Sequence, residues 1–264
     1  MSTVHANGVD LYYEREGTGP RLLFVNGSGT TVEKFRPLFA PFISVFDLLV
    51  YDHRGLGHSG PIAGSYGMSD CADDALAVMD AVGWDSACVL GISFGGMVAL
   101  EVAVTAPKRV ERLALLCTSS GGQGGSSYPL HELEELIADE HSQVRRRLID
   151  TRFDPEWLAA HPRDVRLVEM IEAGASEPDP ARERGEREQL NARRFHDVWD
   201  RLSAISCPTY VGCGRYDGIA PPSNSAALAS RIAGAELHEY EGGHAFFAQD
   251  PRSIPELIEY LSHP

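Results

Sequence analysis

The sequence predicts an α/β fold with a mostly parallel central sheet. Short apolar runs alternate with helical patterns along most of the chain, which is typical of strand–helix–strand units. The apolar runs predict strands buried on both faces of a sheet, at residues 21–26, 48–52, 87–91, 113–117, 209–214 and 237–240. The predicted helices lie between them, at residues 69–82, 93–105, 224–232 and 254–261. A chain of 264 residues suits a single domain of this class with one insertion.

Two local signals refine the ends of these elements. Alternating polarity in residues 9–16 predicts a strand that leaves a hairpin turn at Asn7-Gly8. Ser69 is the predicted N-cap of the helix at 69–82, because acidic residues in a first helical turn, here Asp73 and Asp74, favour a helix start.

The alternation stops between residues 119 and 199. This stretch has no strand-like run and holds short amphipathic pieces separated by glycine and proline, at residues 130–138, 142–149, 155–160 and 165–172. It contains enough Leu, Ile, Phe and Trp to pack against a core, so we expect an all-helical insertion. Residues 177–188 are highly charged and predict an exposed loop or a solvated helix start. The predicted organisation is a core of residues 1–118 and 200–264 with a helical unit at 119–199.

Composition argues against several classes of partner. Lys and Arg number 23 against 38 Asp and Glu, a formal net charge of −15, and so acidic a surface repels nucleic-acid phosphates and anionic lipids. No apolar run approaches the roughly 18 residues that a membrane span needs, and the first residues lack the basic and apolar regions of a signal peptide. We therefore expect a cytoplasmic protein that binds a small molecule. The sequence leaves open whether the chain forms a homo-oligomer.

The cysteines predict neither a disulfide framework nor a metal site. Their number, five, is odd, and no C-x-x-C pair occurs. Buried, reduced thiols are expected in a cytosolic protein. They are Cys71, Cys88, Cys117, Cys207 and Cys213.

The strongest functional signal is a glycine-rich turn around Ser93. The predicted strand at 87–91 runs into the motif G-I-S-F-G and then into a helical pattern, which is the context that a nucleophile elbow needs. Gly91 and Gly95 lack side chains, so the turn can be tight and hold the serine in a strained conformation with an exposed hydroxyl. The N-terminus of the following helix favours negative charge that develops there. Ser93 is the predicted nucleophile.

A serine hydroxyl is a weak nucleophile near neutral pH and needs a base that a third group orients. Among ten histidines, His244 follows the last predicted strand, and two glycines before it let the loop turn back over the sheet edge. His53 and His58 are rival bases, but they precede the nucleophile and belong to a different loop. Asp217 follows the predicted strand at 209–214 and lies between the serine and the histidine in the chain, so it is the predicted acid.

Acyl transfer also needs N–H donors for the oxyanion of the tetrahedral intermediate. One predicted donor is the backbone N–H of Phe94, directly after the nucleophile. The other is the backbone N–H of Ser28, in the segment F-V-N-G-S-G-T after the first buried strand, where small residues let the backbone approach the site. We expect the Asn26 and Ser28 side chains to add polar contacts there.

A second glycine-rich loop, at residues 51–59, predicts a scaffold. It has mixed charge and lacks the G-x-x-x-x-G-K-[ST] pattern of a phosphate-binding loop. We expect Asp52 and Arg54 to tie neighbouring loops together, and neither Asp52 nor His53 to be catalytic.

Four motifs together resemble the α/β-hydrolase superfamily. They are GISFGG, D-x-R-G-x-G-x-S at residues 52–59, GRYDGIAP and GGHAFF, and the resemblance covers nearly the whole chain outside the insertion. Within the superfamily the chain is most similar to a bacterial group of small carboxylesterases, cofactor-free haloperoxidases (perhydrolases) and 3-oxoadipate enol-lactonases. The chain order Ser93, Asp217, His244 is the order found in this fold. The resemblance implies an α/β-hydrolase core with residues 119–199 as a helical cap, and no cofactor or metal.

The same resemblance carries expectations about the substrate pocket. The cap would line an acyl pocket, and we expect Asn26, Gly27, Trp199 and Phe246 to contribute to it. A serine nucleophile argues against haloalkane dehalogenase and epoxide hydrolase chemistry, which use aspartate. The family usually has His-Gly at the oxyanion turn, and the Asn26-Gly27 found here also occurs in enol-lactonases.

The resulting hypothesis is hydrolysis of a small carboxylic ester or lactone through an acyl-enzyme on Ser93. Two enzymatic alternatives stay open, a perhydrolase or haloperoxidase-like reaction and an enol-lactonase. A non-enzymatic alternative is a small-molecule receptor that retains the triad, since some relatives with this fold are signalling proteins. The sequence does not identify the substrate, because the direction of the cap side chains cannot be deduced from it.

Overall fold

The structure is a computed structural model, and it describes residues 2–135, 138–173 and 179–262. Within these residues, eight strands form one sheet in the order β1-β2-β4-β3-β5-β6-β7-β8. They are β1 (Ser2–Ala6), β2 (Val9–Glu16), β3 (Arg21–Val25), β4 (Asp47–Tyr51), β5 (Ala87–Ile92), β6 (Val110–Leu116), β7 (Thr209–Gly214) and β8 (Glu236–Tyr240). Both pairings of β2 are antiparallel, and the five pairings from β4 to β8 are parallel. The predicted fold class is confirmed.

Helices cover both faces of this sheet. Those outside residues 119–199 are α1 (Val32–Ile43), α2 (Met68–Ala81), α3 (Phe94–Thr105), α8 (Pro222–Arg231), α9 (Phe246–Gln249) and α10 (Ser253–Ser262). Those inside are α4 (Ala138–Ile149), α5 (Pro155–Ala160), α6 (Pro162–Ala173) and α7 (Pro180–Arg194). In the part of the chain that the structure describes, none of the helices combines the length and apolar character needed to cross a bilayer.

Two apolar clusters form the core, one on each face of the sheet. Successive residues of a strand point to opposite faces. Leu23 and Val89 accordingly belong to the cluster under α2 and α3, whereas Phe24 and Leu90 belong to the cluster under α1 and α10. Strands β5 and β7 are buried over their whole length, which explains why their sequences are continuous runs with almost no polar residue.

Helix α1 has no counterpart in the sequence-based prediction. It contains Pro37 and Pro41, residues that normally end a helix because proline has no backbone N–H and clashes with the preceding turn. Burial outweighs this cost. Phe39 and Phe42 pack edge-on against Phe24 of β3, with ring centroids 5.2 and 5.6 Å apart.

The predicted N-cap at Ser69 is wrong. Helix α2 begins at Met68 and has Gly67 at its N-cap position. The Asp70 carboxylate accepts a hydrogen bond from the Gly67 N–H at 2.8 Å. A side chain inside the first turn therefore satisfies the start of the helix, and Ser69 lies within that turn.

Residues 119–199, here called the cap segment, contain no strand in the ranges that the structure describes. Residues 130–135 form a 3₁₀ helix where the sequence predicts a longer helical piece, and residues 136 and 137 of that piece lie outside the described residues. The predicted charged stretch at 177–188 is largely the start of α7, with Asp179 as N-cap; residues 177 and 178 lie outside the described residues. The division of the chain into core and cap stays a prediction.

Candidate active site

Ser93 lies in the turn between β5 and α3, with φ 55° and ψ −115°. Residues other than glycine rarely adopt this conformation, and neighbouring hydrogen bonds hold it in place. The Ser93 carbonyl accepts from Gly96 N at 2.9 Å, from Met97 N at 3.2 Å and from Thr118 Oγ1 at 2.7 Å. The side chain is half-buried, so its hydroxyl is held at the end of the strand by a rigid backbone.

The two glycines that flank Ser93 lie where backbone segments nearly touch. A side-chain carbon on Gly91 would lie 2.3 Å from the carbonyl oxygen of Gly95. A side-chain carbon on Gly95 would lie 2.1 Å from the carbonyl oxygen of Val25 at the end of β3. Position 95 needs glycine because the start of α3 packs directly on the loop that follows β3.

The structure brings the three predicted catalytic side chains together at the carboxyl edge of the sheet. His244 Nε2 lies 2.9 Å from Ser93 Oγ, and His244 Nδ1 lies 2.8 Å from Asp217 Oδ2 and 3.0 Å from Oδ1. Because a carboxylate accepts hydrogen bonds, Nδ1–H donates to Asp217, and Nε2 is left as the acceptor for the Ser93 hydroxyl. This is the tautomer that a general base for serine requires.

Asp217 follows β7 and is 3% exposed. Its Oδ1 accepts hydrogen bonds from Ile219 N at 2.8 Å and Ala220 N at 2.9 Å. The loop backbone therefore fixes the direction of the carboxylate, which in turn fixes the His244 ring.

The loop after β3 passes directly beside the nucleophile. A side-chain carbon on Gly27 would lie 3.7 Å from Ser93 Cβ. Neither the Ser28 N–H nor the Phe94 N–H donates a hydrogen bond within the described part of the chain. The segments on either side of the nucleophile therefore each carry a free backbone N–H, the kind of donor that an oxyanion requires.

His53, the rival base, contacts the loop that follows β3. Its Nε2–H donates to the Asn26 carbonyl at 3.0 Å, and its ring packs edge-on against Phe94 with centroids 5.2 Å apart. Burial lowers the pKa of His53 to about 4, so the imidazole is neutral at neutral pH. One side chain thus contacts both segments that carry the free N–H groups.

Asp52 and Arg54 tie loops together, as the sequence predicts. The Asp52 carboxylate accepts from Val32 N at 2.7 Å and from His58 N at 2.8 Å, and burial raises its pKa. Arg54 donates to Asp74 through Nε and Nη2, both at 2.6 Å, in a buried pair. Neither residue contacts Ser93 or His244.

Two of the four predicted pocket residues, Asn26 and Gly27, lie beside the nucleophile. Asn26 is fully buried, and its Nδ2 is 3.4 Å from the carbonyl oxygen of Tyr51. Its Oδ1 has no hydrogen-bond partner among the described residues.

The other two, Trp199 and Phe246, are not brought to the catalytic side chains. Phe246 is 1% exposed and stacks on Tyr240, with centroids 5.2 Å apart, inside the apolar core. Trp199 packs against Gly124 and lies under the Arg231 guanidinium. Burial of aromatic surface, rather than a pocket, accounts for their positions.

Residues 148–152 of the cap segment, here called the clamp, contact the loops that carry the acid and the base. Sequence reasoning missed these contacts. His244 N donates to the carbonyl of Ile149 at 2.6 Å, and Gly218 N donates to the carbonyl of Leu148 at 3.1 Å. Thr151 N donates to the carbonyl of Tyr216 at 2.9 Å. The clamp therefore holds the Asp217 loop and the His244 loop at once.

A buried side-chain relay strengthens the clamp. Asp150 is fully buried and accepts from Gln249 Nε2 at 3.0 Å and from the Arg152 guanidinium at 2.7 Å. Gln249 Oε1 in turn accepts from Gly243 N, next to His244, at 2.8 Å. Asp150 and Gln249 are 99 positions apart and belong to no motif, so nothing in the sequence pairs them.

One group of potential metal ligands occurs in the described residues, formed by Cys117, Asp217 and His244 with ligand atoms within 4.8 Å of one another. A cysteine binds a metal as its thiolate, but burial raises the pKa of the Cys117 thiol well above its ordinary value. A metal there would also displace the Asp217–His244 hydrogen bond. The arrangement therefore fits proton transfer better than metal binding.

Comparison with known proteins assigns the family. A family model described as the alpha/beta hydrolase fold matches residues 20–251. The chain belongs to the α/β-hydrolase fold family. The resemblance deduced from the four motifs is thereby confirmed.

The relatives of this α/β hydrolase are themselves hydrolases. It is 28% identical over 264 residues to a protein of Azorhizobium caulinodans assigned as the carbamate hydrolase RutD. That alignment covers 98% of this chain and 97% of the relative. It is 24% identical to 3-oxoadipate enol-lactonase 2 of Acinetobacter baylyi, over 97% of this chain and 94% of the relative. Among solved structures, the enol-lactonase of Burkholderia xenovorans has a TM-score of 0.82 at 22% identity, over 99% of this chain and all of that one. The sequence relatives indicate an enzyme, and the structural likeness at this identity shows the fold.

Proposed function

We propose that this α/β hydrolase cleaves a small carboxylic ester or lactone through an acyl-enzyme on Ser93. The observation that carries the proposal is the unbroken hydrogen-bonded line from Ser93 Oγ through His244 to Asp217, at 2.9 and 2.8 Å. The free N–H groups of Ser28 and Phe94 support it, because Phe94 follows the serine directly and Ser28 follows Gly27, which packs beside Ser93. Similarity to a named enol-lactonase supports the lactone part of the substrate class.

In the acylation step, Ser93 Oγ attacks the carbonyl carbon while its proton moves to His244 Nε2. The carbonyl oxygen becomes an oxyanion that accepts hydrogen bonds from the Ser28 and Phe94 N–H groups. Asp217 stabilises the imidazolium through Nδ1. The carbon–oxygen bond to the leaving alcohol then breaks, and His244 returns the proton to that oxygen.

Deacylation repeats these steps with water as the nucleophile. His244 takes a proton from water, the new oxyanion forms in the same place, and Ser93 leaves with a proton from the imidazolium. An ester gives a free acid and an alcohol. A lactone gives one hydroxy acid, because the leaving oxygen stays attached to the acyl chain.

A panel of esters, lactones and thioesters, tested against the wild type and Ser93→Ala, examines this proposal. We expect Ser93→Ala to lower kcat by about 10⁴-fold or more on every substrate that the wild type turns over, with an unchanged circular dichroism spectrum. Ser230→Ala, which alters an exposed serine of α8, is the matched control and should retain wild-type turnover. Turnover retained in Ser93→Ala would defeat the proposal. A peracid product formed from the same acyl-enzyme in hydrogen peroxide would instead identify perhydrolysis.

A further inference from the structure

The turn at residues 26–30, which carries the Ser28 N–H, lies against the nucleophile. A side-chain carbon on Gly27 would lie 3.7 Å from Ser93 Cβ. Ser28 is flanked by Gly27 and Gly29, and Gly29 has φ 65°. Because glycine allows many backbone conformations, the two peptide units that meet at Ser28 can rotate easily unless other groups hold them. The direction of the Ser28 N–H therefore depends on the hydrogen bonds around the turn.

The Thr30 hydroxyl holds the peptide unit that contains the Ser28 N–H. It donates a hydrogen bond to the Gly27 carbonyl at 2.8 Å. The carbonyl of one residue and the N–H of the next lie in one rigid plane and point in opposite directions. The direction of the Gly27 carbonyl therefore sets the direction of the Ser28 N–H, and Thr30 acts on this donor through a single rigid unit.

Gln189, in helix α7 of the cap segment, holds the next peptide unit. Its Oε1 accepts from Gly29 N at 2.7 Å, and the whole residue is buried. Helix α7 meets the loop at residues 51–59 one turn earlier, where a side-chain carbon on Gly185 would lie only 2.1 Å from the Gly55 carbonyl oxygen. Residues four apart lie on one face of a helix, so this close backbone contact brings Gln189 to the turn.

His53 holds the preceding unit, because its Nε2–H donates to the Asn26 carbonyl at 3.0 Å. One side-chain hydrogen bond thus restrains each of three consecutive peptide units, from residue 26 to residue 29. Rotation of a unit would break its bond, and a buried N–H or carbonyl left without a partner is costly. The Ser28 N–H itself makes no hydrogen bond within the described part of the chain, so it is held in one direction and stays available.

We propose that Thr30 and Gln189 are positioning residues that direct the Ser28 N–H at the oxyanion, so that the cap segment takes part in assembling the oxyanion site. This inference rests on the proposed function. A preorganised donor acts where negative charge develops, and removing one costs about 10²- to 10³-fold in kcat. Loss of one restraint should cost less, about tenfold, because the donor itself and the other restraints remain.

Matched variants separate the hydrogen bonds from the volume of the side chains. Thr30→Val keeps the shape of threonine and removes the hydroxyl, whereas Thr30→Ser keeps the hydroxyl. Gln189→Met keeps the length of glutamine and removes the acceptor. On an ester that the wild type hydrolyses, we expect Thr30→Val and Gln189→Met each to lower kcat about tenfold with little change in KM, because the interaction strengthens only in the transition state. Thr30→Ser should retain most of the wild-type kcat.

Arg184→Met is the control on the same helix. It removes another hydrogen bond of α7, from Arg184 Nη2 to the Ala63 carbonyl at 3.2 Å, which does not involve the turn, and it should keep the wild-type kcat. Gln189→Asn is the second variant at the buried position. Its amide is one methylene too short to reach Gly29 N, so it should show the same loss as Gln189→Met and provides the test if the methionine variant does not fold.

Inhibition by an alkyl trifluoromethyl ketone tests the direction of the donor rather than the general integrity of the site. Ser93 Oγ adds to the ketone carbon, its proton moves to His244 Nε2, and the carbonyl oxygen becomes an oxyanion. The product acid binds without forming such an adduct. We expect the inhibition constant of the ketone to rise about tenfold in Thr30→Val and Gln189→Met, in parallel with the fall in kcat, while that of the product acid stays unchanged. The pH dependence of kcat/KM should also stay unchanged, because the triad is intact.

The results separate this inference from the proposed function. If turnover requires Ser93 but kcat and ketone inhibition are unchanged in both variants, the positioning role is overturned and the proposed function stands. Equal weakening of the ketone and the product acid would also overturn the role, since it indicates a general disturbance of the site. An effect of Thr30→Val alone would overturn the part assigned to the cap segment.

Absence of turnover on every ester would overturn the proposed function instead. Ketone binding to the wild type and the two variants, followed by fluorine NMR, then decides the inference. Binding that weakens in both Thr30→Val and Gln189→Met would still support a directed Ser28 N–H, and binding that is absent or equal in all three proteins would refute it.

Discussion

The buried imidazole of His53 makes the stability of the fold depend on pH. His53 is 3% exposed, and burial lowers its pKa to about 4, against 6.5 in an exposed histidine. Between these two values the unfolded chain binds a proton that the folded chain does not bind, so acidification favours unfolding. The contribution of a neutral His53 is complete above about pH 6.5 and is lost as the pH falls towards about 4.

The size of the effect follows from the two pKa values. At about pH 5 the imidazole is protonated in the unfolded chain and still neutral in the folded one, about 1.5 pH units below the unfolded pKa. Each unit is worth about 1.4 kcal/mol, so His53 alone should lower the free energy of unfolding by about 2 kcal/mol between pH 7 and pH 5. That is a large part of the roughly 5–15 kcal/mol that stabilises a typical domain.

His53→Gln isolates this contribution. Glutamine does not titrate, but its amide N–H can still donate to the Asn26 carbonyl that His53 Nε2 contacts at 3.0 Å. Urea unfolding, followed by circular dichroism at about pH 7 and about pH 5, should show the wild type losing about 2 kcal/mol more than the variant. Other titrating groups are common to both proteins and cancel. Equal losses in the two proteins would refute the assignment of a neutral, buried His53.

Two further predictions concern the packing around the catalytic residues. Gly95→Ala places a carbon 2.1 Å from the Val25 carbonyl, so it should lower the free energy of unfolding by about 2–4 kcal/mol and reduce turnover; a variant with wild-type urea midpoint and kcat would contradict this contact. Gln249→Met breaks the relay between Asp150 and Gly243 N, at 3.0 and 2.8 Å, while keeping the side-chain length. We expect kcat to fall about tenfold with little change in KM, because the loop that orients His244 loosens. A change in KM alone, measured by steady-state kinetics, would argue against a positioning role for Gln249.

Much of the fold could be predicted because its signals are local. Strands β5 and β7 are short apolar runs that end at G-I-S-F-G and at the loop of Asp217, so periodicity and motif indicate the same elements. The parallel arrangement then brings the ends of these strands to one edge of the sheet. Ser93, Asp217 and His244 could be proposed together for that reason.

The features that escaped prediction depend on contacts between distant segments. Helix α1 forms in spite of Pro37 and Pro41 because its phenylalanines are buried against β3. Gln189 meets Gly29 across 160 positions of the chain, and no local pattern marks such a pair. Trp199 and Phe246 were predicted to line the pocket from their positions in the sequence, but core packing determines where their rings lie.

The covalent state of Ser93 tests the central claim most directly. The wild type is treated with an alkyl fluorophosphonate, which captures an activated serine, and the modified peptide is identified by mass spectrometry. We expect one equivalent of label on Ser93, none on Ser93→Ala, and labelling of His244→Ala slower by about 10³-fold or more. Label at another residue, or a labelling rate that does not depend on His244, would contradict a triad of Ser93, His244 and Asp217.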